Sequence, residues 1–417
     1  MGLGPSIKMT TLHHYNCPVT KILSSDEDIE FPGIIVTGVS EVYEDKIRSA
    51  VRTGFMAEGL RADGALVAID GWGNHHVDFV NVIEQLGLKG IPSVGLSYIG
   101  TQGRLVCSNA FVDTIIDFNK CSSGYESCVV GQNNLSETDA FKAAALLKSK
   151  IKKTRRPWTV ESESSVSPRP LRRLTRRTLS VHEVRFGEQT YLKNGILTIR
   201  RGIKEDIAFS QPRIKKITVG IVSPGELNFF VNSNLDYSPV ACKVNGRLGE
   251  GITCQIGGIT VMLTGVEDKS EFQPSNIGSS EGILKDRVIL DQAGTPSSSD
   301  FLLHIDFLFE EGEARTAEGI QAAHESADRI IDEIRNAMRS AENMEYTSED
   351  FYDMAKPGKK KVILVKIVSG LGNMYDTSLF PREPGGYIGS RQMRDIQNMP
   401  VFITPNQCRD GAIHSLL

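Results

Sequence analysis

The sequence predicts an α/β protein: a three-layer parallel-sheet domain followed by a second α+β domain rich in strands, the two packed into one body. Three observations carry this. The first 150 residues alternate continuous β-branched runs with helix-length segments, the pattern of a parallel sheet covered on both faces. A basic stretch with Ser and Pro then interrupts the chain, and the remainder is strand-rich with one long amphipathic helix. The resulting division is 1–150 for the α/β domain, 151–177 for a linker and 178–417 for the α+β domain.

In the first domain, Phe31 to Gly38 (FPGIIVTG) reads as a buried strand and Glu44 to Leu60 as a helix. Gly64 to Asp70 is a second strand, and a helix follows over Val77 to Leu86. Ile91 to Ile99 and Val112 to Phe118 supply further strands, and Ser136 to Ile151 is a closing helix whose Ser136 and Asp139 have N-cap spacing. From Lys148 to Arg177 the basic side chains cluster around ESESSVSPRP, a composition too polar to offset its own ordering entropy, hence the linker. Beyond it, Leu179 to Phe186 and Gly195 to Arg200 flank a polar turn and suggest a β-hairpin. Ile214 to Val222, Gly258 to Thr264, Lys285 to Leu290 and Lys361 to Val368 read as strands. In the helix Glu313 to Ser340, Ile320, Ala323, Ala327, Ile330, Ile331, Ile334 and Met338 form one stripe, which is packing surface. Gly370 to Gly389 reads as a long ordered loop or flap.

Bulk properties exclude several classes. Of 417 residues, 40% are apolar and 24% charged, so the chain is not disordered, and the net charge of −4 gives no reason to expect nucleic acid as a partner. No run reaches the roughly 18 apolar residues of a membrane span, and the start lacks a secretory pattern. Met1-Gly2 with Ser6 echoes a myristoylation start, but Pro5 interrupts it, so no membrane is expected. Seven scattered cysteines without a CxxC pair point to free thiols in a reducing cytoplasm and to no metal site. No dinucleotide fingerprint, Walker A motif or GxSxG elbow is present, so no bound nucleotide cofactor is expected.

Two constellations carry chemistry. Near the start, Ser6, Lys8, Thr11, His13 and His14 bring hydroxyls, an ammonium and two imidazoles together, a set suited to binding an anion or a carbonyl. On an extended chain the adjacent histidines point to opposite faces and do not share a metal. At the carboxyl end of the second strand stand Asp70, Gly71, Trp72, Gly73, Asn74 and His75, where open α/β sheets place ligand loops, with Asn74 a candidate helix cap. Thr101 and Gln102 follow the third strand and line the same crevice.

The segments GPSIKMTTLHH, FPGIIVTGVSE, DGALVAIDGWGNHHVDFVNVIEQLGLKGIPSVGLSYIGTQ and DTIIDFNK resemble the C-terminal part of D-proline reductase proproteins. LSVHEVRFGEQTYLKNGILTIRR, VKIVSGLGNMYDTSLFPREPGGYIGSRQ and MPVFITPNQCRDGAIHSLL resemble their N-terminal part. The glycine, sarcosine and betaine reductase component B proproteins are similar but more distant. The resemblance implies a fold shared with that family and an enzyme in which an internal cysteine becomes a pyruvoyl group. That carbonyl captures the substrate amine, and a selenocysteine-containing partner subunit cleaves the carbon–nitrogen bond, opening D-proline to 5-aminovalerate. It also implies catalytic roles for His13, His14, Asp376 and Asp410, and substrate contacts from the two constellations above. Here the two parts stand in swapped order, and no cysteine occupies the junction where cleavage would fall, so the chain is expected to have no pyruvoyl group of its own.

Three functions follow from the resemblance. The first is a pyruvoyl-free subunit of a D-proline reductase complex of anaerobic amino-acid fermentation, cytoplasmic and oligomeric. It would partner the selenoprotein and the processed pyruvoyl subunit and handle a small amino acid. The second is a catalytic reductase of a cyclic or N-substituted amino acid, of the glycine, sarcosine or betaine type. The third is a non-catalytic amino-acid-binding or assembly scaffold.

Overall fold

The computed structural model describes residues 10–40, 42–69, 73–97, 99–101, 104–124, 129–154, 167–203, 211–267, 281–314, 316–368 and 399–410. Two short helices come first, α1 (Thr11–Tyr15) and α2 (Pro18–Ser25). Then follow β1 (Ile29–Glu30), β2 (Ile34–Gly38), α3 (Tyr43–Gly59), β3 (Gly64–Ile69), α4 (His75–Leu88), β4 (Ser93–Ser97), β5 (Ile115–Asp117) and α5 (Glu137–Lys153). All the elements expected in the first domain form, and Ser136 with Asp139 closes a capping box on α5.

The second part begins with β6 (Arg169–Ser180), β7 (Glu183–Gly187), β8 (Tyr191–Lys193), β9 (Ile196–Arg200) and β10 (Ile214–Val222). It continues through β11 (Phe230–Val231), β12 (Ser233–Ser238), β13 (Ala241–Asn245), β14 (Gly251–Gly257), β15 (Ile259–Glu267), β16 (Gly282–Ile283) and β17 (Phe301–Phe309). After the long helix α6 (Ala317–Arg339) come β18 (Tyr346–Ala355), β19 (Lys360–Val368), β20 (Val401–Ile403) and α7 (Pro405–Arg409).

The chain does not divide at the linker as its composition suggests. The principal sheet runs β20-β2-β19-β3-β4-β5, with β1 also paired to β19, and all its pairings are parallel except β20 with β2. The late strand β19 is thus inserted between β2 and β3. Its alternation explains why it fits there. Val362 and Leu364 join Ile34, Val36 and Leu66 under α2 and α5, whereas Ile363, Val365 and Ile367 join Ile35, Val67 and Ile69 under α3 and α4. Both faces are apolar, so only a position covered on both sides suits it. The expected three layers are present, but the central strand comes from the far end of the chain.

Part of the expected linker is strand. Arg169–Ser180 is the third strand of the sheet β13-β14-β6-β18, antiparallel to β18. Its arginines face acidic partners: Arg173 Nη2 lies 2.6 Å from Asp350 Oδ2, Arg172 pairs in register with Asp353, and Arg176 with Glu349. Cross-strand opposite charges are the reason a run that repels itself in isolation is ordered here. The other part of that stretch, 155–166, and the loop Gly370–Gly389 lie outside the described residues.

Two further expectations change. The hairpin is β8 with β9, turning on Asn194 and Gly195 at φ of 54° and 75°, while β7 pairs β9 in parallel. Lys285–Leu290 is not a strand; Leu284–Asp286 forms a single 3₁₀ turn and Val288 makes an isolated bridge to Val130. The stripe on α6 behaves as read, with every member buried against the sheet β10-β17-β15-β12. No helix among the described residues is long and apolar enough to cross a membrane.

Candidate functional site

Helix α1 forms where the α/β sheet meets the strand-rich half. Thr10 caps it, its Oγ1 accepting from His13 N at 3.2 Å and donating to Gly294 O at 2.6 Å. Thr11 donates from both its N–H, at 2.8 Å, and its hydroxyl to the Asp236 carboxylate on β12. The two histidines therefore lie on a helix, not on an extended segment. Their rings stand edge to face with centroids 6.2 Å apart. His14 Nδ1 is 3.1 Å from Lys366 Nζ on β19, and since Lys366 is the donor, this nitrogen carries the lone pair. Burial pushes the His13 pKa down to about 4, which keeps its imidazole neutral at physiological pH.

Burial also raises Asp236 from 3.8 to about 6, against the opposing hydrogen bonds from Thr11. A raised folded-state value means that the stability linked to this proton is fully present below pH 3.8 and is lost as pH rises through about 6. Asp236→Asn is therefore expected to gain stability relative to wild type by up to about 3 kcal/mol between pH 4 and pH 8. Parallel urea unfolding curves at the two pH values measure this difference, and an unchanged difference refutes the assignment.

The carboxyl rim of the parallel sheet gathers buried polar atoms without partners. Thr37 Oγ1, next to the end of β2, and Ser97 Oγ, at the end of β4, are buried without a partner. A buried hydroxyl left unsatisfied costs about 1–3 kcal/mol. Lys366, level with Val36 and Ala68, belongs to the α2/α5 face of the sheet, whereas Thr37 and Ser97 alternate onto the α3/α4 face. Open α/β sheets as a class bind small molecules at this carboxyl end.

The second predicted constellation is only partly placed. Gly73 adopts φ +63°, a conformation glycine suits, and His75 begins α4. Asn74 is helical and makes no side-chain cap, contrary to expectation. Thr101 is exposed. Ser6, Lys8, Asp70, Gly71, Trp72, Gln102 and Asp376 lie outside the described residues. Asp410 is buried but engaged elsewhere: it accepts from Thr253 Oγ1, Lys243 Nζ and Gly249 N, the last at 2.8 Å, and so ties α7 to the β13–β14 hairpin.

Sequence reading missed a neighbouring pocket of about 410 Å³ between α1, α2, α7 and the β6–β18 pair. Arg176 and Arg409 line it. The Arg176 guanidinium stacks 4.0 Å above the Tyr15 ring and donates to Tyr15 O and Asn16 Oδ1, at 3.3 and 3.4 Å. Arg409 lies 4.9 Å over Phe351. Cys17 opens onto this pocket. Of the missed residues only Lys366 carried a signal, as a charge inside the apolar run KVILVKIV. No group of three or more His, Cys, Asp or Glu among the described residues is arranged to hold a metal ion.

Comparison with known proteins places this geometry. The family of glycine/sarcosine/betaine reductase component B subunits matches residues 3–124 and 172–273. The D-proline reductase proprotein PrdA of Acetoanaerobium sticklandii is 32% identical over 251 residues, 60% of this chain and 40% of that protein. The betaine reductase complex component B subunit alpha of Peptoclostridium acidaminophilum is 32% identical over 134 residues, 32% of this chain and 28% of the relative. The sarcosine reductase complex component B subunit alpha of the same organism is 27% identical over 137 residues, 32% of this chain and 30% of the relative. The chain thus spans less than half the length of each of these relatives. No solved structure matches it. By the extent of the family match, which covers more than half of its residues, the chain belongs to the glycine/sarcosine/betaine reductase component B family.

Proposed function

We propose that the chain is a subunit of a D-proline reductase-type complex, taking part in reductive carbon–nitrogen cleavage of D-proline to 5-aminovalerate without a pyruvoyl group of its own. The observation that carries the reading is the match to the D-proline reductase proprotein, which extends over 251 residues where the betaine match extends over 134. The structure is compatible with the swapped order of the two parts. Helix α7 packs on α1, with Cys408 Sγ donating to His14 O at 3.8 Å, so the segments that flank the family's cleavage junction come together although they are far apart in sequence.

A pyruvoyl group from a processed subunit, when bound, supplies the electrophilic carbonyl. This chain's own contribution is the rim. Lys366 offers a donor for a substrate carboxylate from the α2/α5 face, and the Thr37 and Ser97 hydroxyls offer hydrogen bonds from the α3/α4 face. The selenocysteine-containing subunit is the expected partner in an oligomeric assembly, in the cytoplasm.

The first test is the intact mass of the natively expressed protein with and without hydroxylamine. One uncleaved species without an adduct is expected; cleavage together with an adduct overturns the pyruvoyl-free assignment. The second test adds the chain to a processed pyruvoyl subunit and a selenoprotein and follows 5-aminovalerate. If it neither binds them nor changes the rate, the subunit reading fails. The betaine and sarcosine matches favour a second reading, a reductase of N-methylated amino acids, which tighter binding of sarcosine or betaine than of D-proline would select.

A further inference from the structure

Two cysteines from opposite ends of the chain meet beside the pocket. Cys17 precedes α2 and is 6% exposed; Cys408 lies in α7 and is fully buried. Both belong to one buried cluster, and Thr20, one turn of α2 beyond Cys17, donates its hydroxyl to Cys408 Sγ. Cys408 Sγ is also 3.8 Å from both Thr20 Oγ1 and His14 O. Only Cys17 lines the pocket, so a reagent entering from solvent reaches it first.

We propose that Cys17 and Cys408 form a two-electron dithiol centre that exchanges with an external disulfide or selenenyl sulfide through this pocket. The Cys17 thiolate attacks one chalcogen of the incoming bond, forming a mixed disulfide and expelling the other half as a thiolate or selenolate. Cys408 then attacks the Cys17 sulfur, expelling the second half as a thiolate, which takes up the Cys408 proton. The protein dithiol is oxidised to the Cys17–Cys408 disulfide and the external bond is reduced to one thiol and one thiolate or selenolate. The proton that Cys17 released to solvent on forming its thiolate equals the one this anion takes up, so electrons and protons balance.

The surroundings divide the roles. Cys17 stands just before α2 and lines the pocket, with the Lys366 charge nearby, so it is the thiol placed to act as nucleophile. Cys408 is fully buried and does not line the pocket, as suits a resolving thiol that acts only after the mixed disulfide forms. Arg176 and Arg409 line the pocket beside Lys21, Glu137, Asp291 and Glu349, and their guanidiniums are cationic donors available to a departing thiolate or selenolate. Cys242 and Cys254 pair directly across β13 and β14 but adjoin no such pocket, and they serve as an internal control. The inference is independent of which amino acid the complex reduces.

The test is a titration of the full chain in glutathione redox buffers, with acid quenching, alkylation and peptide mapping by mass spectrometry. The expected result is one linked peptide pair, Cys17 with Cys408, formed without denaturant and reversed by dithiothreitol. Cys408→Ser should retain glutathione on Cys17, and Cys17→Ser should retain at least tenfold less on Cys408. The proposal is overturned if both thiols remain free in fully oxidised glutathione, if the link forms only after denaturation, or if the linked pair is Cys242 with Cys254. The wild-type titration decides the matter even if a variant fails to fold.

Discussion

A fragment ending after α5, residues 1–154, is expected not to fold, although it contains nearly every element the sequence assigns to the first domain. In the full chain β19 fills the gap between β2 and β3, so the fragment leaves two inner strands with open edges. It also loses six fully buried apolar side chains: Val362, Ile363, Leu364, Val365, Ile367 and Val368. At about 1.5–3 kcal/mol each, their burial matches the whole stability of a typical domain, about 5–15 kcal/mol. Circular dichroism and urea titration should show no cooperative transition for 1–154, and a second fragment covering 356–410 should restore it. A sharp transition in the isolated fragment would show that β2 and β3 close on each other without β19. In the intact protein Leu364→Ala should cost about 2–5 kcal/mol by removing one of these side chains.

The second large effect is expected at Asp410. Its carboxylate, wholly buried, holds the Thr253 hydroxyl, the Lys243 ammonium and the Gly249 N–H, and so fastens α7 to β13 and β14. Asp410→Ala strands these donors in a nearly dry site, a change that typically costs about 3–5 kcal/mol when a buried ion pair is broken. Asp410→Asn keeps the shape and an acceptor and should cost less. The denaturation midpoint is the decisive reading. If Asp410→Ala unfolds at the wild-type midpoint while reductase-coupled turnover disappears, the residue acts on substrate and is not a clamp between α7 and the hairpin.

Of the four residues to which the resemblance gives catalytic roles, His13, His14, Asp376 and Asp410, His13 and Asp410 have different surroundings in the structure. His13 is buried in α1 beside Asn134 and Lys366, and Asp410 is occupied by a hairpin of the other half. Sequence pattern could not separate them, because a buried carboxylate that clamps a loop and one that transfers a proton have the same composition around them. His13 and His14 were legible as a pair but not as a helix. The five-residue α1 has no periodicity to read and is set by Thr10 and by Asp236, which lies more than two hundred residues away.

What the sequence by itself determined is local. The period-3.6 stripe of α6, the doubly apolar runs of β2, β3 and β19, the capping box at Ser136 and the family motifs were all visible without coordinates, because they depend on neighbours a few residues apart. The tertiary structure alone decided partnership. A run apolar on both faces must be buried on both faces, but nothing within KVILVKIV says between which strands. The arginines of β6 form a solvated linker by composition and an ordered strand once β18 presents Glu349, Asp350 and Asp353 opposite them. Pairing energy of this kind depends on chain segments brought together from far apart, and local composition carries no record of it.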